Sequence, residues 1–284
     1  MAKKALSGLD MAETLLFYEE HQDRLLGMIP ASAPRDERLP FPLRHTKFLQ
    51  LDRHTLLALW FLFPEEARNR SVLRRVEGRP AAWFHAGSMG EAGPFKTENP
   101  AEALSPTAII PSYCDYNRWL ADRPTCDIRL HYIHPLTCPP AVRHIILAEG
   151  FVHEVAHSII APALYSNWYR MQLPTKGKIA PNCCNWLKFV LGRAAERKSA
   201  ISHYASTYRD EDGRFKHDKI NNTSTAVSEE IAECVTAFLL GFVFCREHRR
   251  RFNPFCDRPE VKQLVRNFLY AHHIPGAASK TGLA

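Results

Sequence analysis

The sequence predicts a mainly α-helical fold with a small β-sheet, an α+β arrangement. Three observations predict it. Apolar residues recur at helical spacing in several long stretches. Strict alternation is confined to one segment, residues 126–134, where Ile128, Leu130 and Tyr132 interleave with Arg129 and His131. Proline- and glycine-rich stretches separate these blocks and leave no internal repeat.

The elements follow in chain order. Residues 10–28 carry Leu15, Leu16, Tyr18, Leu25 and Leu26 among charges, which predicts an amphipathic helix. Residues 30–42 hold four prolines and read as a linker. Residues 51–63 and 64–78 read as two helices, with Pro64 opening the second. Residues 79–106 are rich in Gly, Pro and Ala, so an irregular connection is expected. Strands are expected at 106–110 and 126–134. A strong helix is expected at 139–160, after the pair Pro139 and Pro140, and another at 183–200. Residues 206–224 are polar and read as a surface loop. A long helix over 224–248 and a last one over 259–273 complete the reading. Residues 1–105 form an N-terminal helical region in this division, 106–275 a second domain, and 276–284 a disordered tail.

Composition bounds the function only loosely. Hydrophobic residues make up 45% and charged residues 24% of the 284, ordinary values for a globular chain. The formal charge of +7 is mostly scattered, so nucleic acid is an unlikely partner. The longest nearly apolar run, 234–245, is too short to span a bilayer. The start reads as a polar leader before a helix, with no secretory pattern. The expectation is a cytoplasmic protein, or an effector secreted by a signal-independent route. Eight cysteines form no CxxC pair, which favours free thiols over a disulfide framework. Cys234 and Cys245 lie in an apolar stretch and look like small core residues. Cys126 and Cys138 flank His131 and His134, a spacing that fits no compact zinc module.

The chemistry concentrates in "AEGFVHEVAHSIIAP", residues 148–162. Residues four apart on a helix lie one turn above another, so His153 and His157 can share one tetrahedral Zn²⁺. Glu154 is rotated off the metal axis and can act on a water instead. Apart from Glu154, no Asp, Glu, Lys or Arg stands between Glu149 and Arg170. A surface helix would carry charges there, so a buried motif helix is expected. The third ligand should come from "AVSEEIAECVTAFLLG". Glu229 and Glu233 share a face of an otherwise apolar helix, where a lone carboxylate would be costly. Glu229 is favoured as ligand and Glu233 as the group that orients a ligating histidine. Glu230 and Glu233 remain alternatives for the ligand.

"HEVAH", then "SHYAS" (202–206), then "EEIAECVTAFLL" (229–240) resembles the gluzincin branch of zinc peptidases. Within it the chain is similar to the group of the anthrax lethal factor catalytic domain and its bacterial relatives, over roughly residues 125–245. The resemblance implies a zincin-like metallopeptidase domain within 106–275. It implies His153, His157 and Glu229 as zinc ligands, Glu154 as base, Tyr204 as the donor to the oxyanion, and Glu233 behind the ligands. Residues 206–228 are longer than the group's usual connection and look inserted, which leaves Tyr208 and His203 as alternatives to Tyr204. The implied function is a zinc-dependent endopeptidase that hydrolyses a protein or peptide substrate by a zinc-bound water activated by Glu154. The runner-up is a non-catalytic binding module on the same fold. The strand over 126–134 is expected at the sheet edge beside the site, where an extended substrate would pair with its backbone.

Overall fold

The computed structural model describes residues 8–34, 37–79, 112–117, 125–135, 138–172, 200–206, 208–214, 222–244, 254–256 and 258–270. The expected strand at 106–110, the expected helix at 183–200 apart from Ala200, and the expected tail lie outside these residues. What is described is a set of helices around one small sheet, in agreement with the α+β expectation.

Helix α1, Gly8–Met28, packs Phe17, Tyr18 and Leu25 into the core. A proline-rich irregular segment follows and leads to the two-residue strand β1, Leu43–Arg44, and a 3₁₀ turn, Thr46–Phe48. Helix α2, Arg53–Trp60, begins where Asp52 accepts the Thr55 N–H at 2.7 Å. Helix α3, Glu65–Arg70, starts after Pro64, with Glu65 and Glu66 in its first turn and Arg68 and Arg70 in its last.

The helix expected to run to residue 78 stops at Arg70. Ser71 leaves the helix and bonds both the Leu73 N–H, at 3.2 Å, and the Ser158 hydroxyl, at 2.6 Å. The chain then becomes strand β2, Leu73–Arg79. The period-2 signal was present in Arg75, Glu77 and Arg79 against Val76 and Gly78, hidden among charges that also suit a helix.

Strand β3, Ser112–Asn117, and strand β4, Thr125–His131, complete a sheet of order β1-β2-β4-β3. β1, β2 and β4 are parallel, and β3 is antiparallel to β4. β4 is therefore central, paired to β2 through Val76 and Ile128 and to β3 through Cys114 and Ile128. This corrects the expectation of an edge strand. The reason is that both faces of β4 are buried: Cys126, Ile128 and Leu130 on one, Asp127 and His131 on the other. The buried carboxylates are compensated. Asp127 accepts Arg74 at 2.6 Å and Arg75 at 2.9 Å, and Glu77 accepts Arg75 at 2.6 Å and also meets Arg79. Cys126 and His131 face opposite ways along β4, so they cannot share one ion.

Beneath the sheet lies α4, Pro140–Gln172. It begins at Pro140, the second of the proline pair, and continues twelve residues past 160, through Pro162. A proline has no N–H, so the Ser158 carbonyl lacks its helical donor. The Val72 N–H takes that carbonyl at 3.2 Å and ties the start of β2 to the helix. Short helix α5, His203–Ser206, precedes α6, Asn222–Leu240, and α7, Pro259–Leu269. The helix expected to reach residue 248 ends at Leu240. Gly241 takes φ 80° and its N–H bonds the Ala237 carbonyl at 3.0 Å, a left-handed terminus.

One core joins these elements, from Phe17 of α1 through Val76, Ile128 and Ile145 to Phe268 of α7. Residues on both sides of position 105 thus share one sheet and one core. Cys126, Cys138, Cys234 and Cys256 are free thiols, and Cys234 is buried as expected. Among the described residues no helix is long and apolar enough to cross a membrane.

The 3₁₀ turn crosses β2 at Gly78, where an added Cβ would stand 2.6 Å from the His45 carbonyl oxygen and 2.8 Å from the Leu49 nitrogen. Both are backbone atoms, so the crossing must open. Gly78→Ala is expected to destabilise the fold by about 1–3 kcal/mol, as overpacking does. Urea unfolding checks it: the midpoint falls and the slope is unchanged.

Candidate metal centre

Helices α4 and α6 face each other across the middle of the core, and each is apolar nearly all round. α4 buries Phe151, Val152, Val155, Ala156 and Ile159, and α6 buries Ile231, Ala232 and Val235. Between them are the polar side chains His153, Glu154, His157, Ser228, Glu229 and Glu233, each no more than 6% exposed. Such groups are tolerated in an apolar interior only when they satisfy one another.

They do so in a fixed pattern. His153 donates from Nδ1 to Glu233 Oε1 at 2.6 Å. His157 pairs its Nδ1 with the Ser228 hydroxyl at 3.0 Å. With each Nδ1 engaged on the outside, each Nε2 turns inward. The two Nε2 atoms stand 3.0 Å apart, and Glu229 Oε2 is 3.1 Å from the first and 3.4 Å from the second. A tetrahedral ion with bonds of about 2.05 Å spaces its ligand atoms about 3.3 Å apart. His153, His157 and Glu229 therefore have the donor chemistry and the spacing to hold a metal ion.

The electrostatics ask for a cation at the same point. Burial alone would lower the His153 imidazole. Its hydrogen bonds to Glu229 and Glu233 outweigh burial and carry it up to about 10. A proton therefore competes with the ion for these lone pairs.

Glu154, 1% exposed, lies beside the triad. Its charge acts on both the His153 imidazole and the Tyr204 hydroxyl. The Tyr204 ring meets the His153 ring edge to face, with centroids 5.7 Å apart, and its hydroxyl is 3.0 Å from that of Tyr208. Burial, then the charge of Glu229, hold the Tyr204 phenol well above its ordinary range, so it keeps its proton and remains a donor.

Of the three glutamates considered for the third ligand, Glu230 points elsewhere. It accepts the Ile201 N–H at 3.0 Å and faces Arg209 at 3.3 Å. Arg209 in turn holds the Gly213 carbonyl at 2.8 Å. With the His203 N–H on the Phe244 carbonyl at 2.8 Å and Ser202 capping Ala205 at 2.9 Å, this fixes the short helix that carries Tyr204. Glu229 lies with the two Nε2 atoms, and Glu233 lies behind His153 at its Nδ1. Sequence reasoning missed Ser228. Its only signal was its position one residue before Glu229.

Comparison with protein-family models, with curated proteins and with solved structures finds no match to this chain.

His157→Ala is expected to abolish tight binding of a divalent ion, because two remaining protein ligands make a weak site. Ser228→Ala should weaken it by about tenfold while the triad stays complete. Equilibrium dialysis with metal analysis checks both. Uptake should release protons near neutral pH, and affinity should fall as pH falls. Calorimetry in buffers of different ionisation enthalpy reads this directly.

Proposed function

We propose that this chain is a zinc-dependent endopeptidase of the gluzincin type, with a zincin-like domain built around α4 and α6. One observation carries the reading. The three inward donor atoms of His153, His157 and Glu229 converge at tetrahedral spacing, with Glu154 and the Tyr204 hydroxyl on their flank. Two histidines with a carboxylate suit a catalytic zinc, which leaves a position open, whereas closed structural sites are rich in cysteine. The three residues fit zinc in kind and in spacing.

Zinc, when bound, supplies Lewis acidity that polarises a carbonyl and acidifies a water. The rest falls to the chain. Glu154 takes a proton from the attacking water and later gives it to the leaving amine, which balances the hydrolysis. Burial beside His153 keeps this carboxylate away from bulk solvent. Tyr204 keeps its O–H and can donate to the carbonyl oxygen as charge develops there. Glu233 and Ser228 hold the two imidazoles in the required tautomer. The substrate on this reading is a protein or peptide in extended form. Among the described residues β3 is the last strand of the sheet and packs against α4, so its outer edge can offer backbone groups for strand addition. The expected setting is a cytoplasm, reached by synthesis there or by signal-independent export.

Glu154→Gln should keep zinc and fold but lose roughly 10²–10⁴-fold in turnover, since only the base is removed. Comparing new peptide termini in a proteome exposed to wild-type or Glu154→Gln protein reads this without knowing the substrate. Equal sets of termini would leave a binding module as the reading. Tyr204→Phe keeps the ring against His153 and should lower the rate by about 10²–10³-fold with zinc content unchanged.

A further inference from the structure

Helix α1 reaches the metal centre from far away in the chain. Tyr18, 3% exposed, donates its hydroxyl to Glu149 Oε2. Glu149 stands one turn before His153 and two before His157, so the three share a face of α4. On the facing helix, Glu233 is near enough for its charge to act on Glu149. The same Glu233 accepts from His153 Nδ1 at 2.6 Å. A second route runs beside the first. Phe17 packs against Phe244, ring centroids 5.2 Å apart, and the Phe244 carbonyl holds the N–H of His203, the neighbour of Tyr204.

Two carboxyl groups this close in an apolar setting do not both carry charge at low cost. Some Glu149 surface remains accessible, yet the surrounding protein pushes its carboxyl up to about 8, through burial first and then the charge of Glu233. Glu149 at pH 7 is therefore largely protonated, a neutral neighbour to the Glu233 that accepts from His153 Nδ1. Tyr18 is also held well above its ordinary range, by burial and then by Glu149, so it stays a donor. The order Tyr18, Glu149, Glu233, His153 is a chain of contacts and charges that ends on a metal-ligating ring.

We infer that Tyr18 and Glu149 are positioning residues of the metal centre, which fix Glu233 and through it the His153 imidazole, and that α1 is thereby part of the site. The inference rests on the zinc reading above and concerns the chain's own residues.

The test uses the full chain as wild type, Tyr18→Phe, Glu149→Ala and Glu149→Gln. Zinc affinity is measured by competition with a chromophoric chelator, alongside thermal unfolding of each metal-free protein. Tyr18→Phe and Glu149→Ala should weaken zinc by about 3–30-fold, at or below the range for groups behind ligands. Glu149→Gln keeps an acceptor for Tyr18 and carries no charge, so its affinity should stay within about threefold of wild type. A purely structural role would lower the metal-free Tm and leave the affinity of the folded protein unchanged. That result overturns the inference, as does a Gln variant as weak as the Ala variant. If Tyr18→Phe fails to fold, the two Glu149 variants decide alone. A wild-type chain that takes up no zinc overturns the zinc reading and this inference together. Normal wild-type uptake with unaltered variants overturns this inference only.

Discussion

The contact between α4 and α6 is the constraint on which the rest depends. Each helix is apolar enough to be a core helix, and each carries acidic or basic groups that a core does not tolerate alone. The other helix satisfies the central ones. His153 needs Glu233 and Glu229, His157 needs Ser228, and Glu229 needs the imidazoles. The relative rotation and height of the two helices are therefore set by hydrogen bonds as well as by packing. A shift of one residue in either would leave several buried groups unsatisfied, at roughly 1–3 kcal/mol each. The sheet is fastened to this pair through the Ser158 carbonyl and hydroxyl.

The parts legible in the sequence are those whose logic is local. His153, Glu154 and His157 could be placed because helical spacing alone sets them on or off one face. Glu229 and Glu233 could be paired for the same reason. The sequence left Glu230 open because its role depends on Ile201 and Arg209, whose approach no local pattern announces. Ser228, Glu149 and Tyr18 were unreadable as site residues on the same ground. Their partners lie 71 to 131 residues away in the chain.

The sheet shows a different failure. β2 was read as helix because Arg74, Arg75, Glu77 and Arg79 suit an exposed helix as well as they suit a strand. Their ion pairs with Asp127, Glu77 and Arg129 exist only once β4 is alongside. The same pairs hid the central place of β4, since charged residues on one face suggest solvent. The helix expected over 139–160 continues past Pro162 to Gln172. It runs through this proline because the Ser158 carbonyl left without a donor accepts the Val72 N–H instead.

The long span of the centre has a consequence for the order in which the protein can be completed during synthesis. Tyr18 meets Glu149 across 131 residues, and His153 meets Glu229 across a further 76. The newborn chain therefore carries α1 and then α4 out of the ribosome with their polar groups still lacking the partners on α6. At roughly 5–20 residues per second, α6 follows the histidines by on the order of ten seconds. Until then the histidines have no third ligand and no Glu233 behind them. Completion of this cluster is in this way tied to the translation of residues 222–240, and an unfinished chain released before that point would carry both histidines without Glu229 or Glu233.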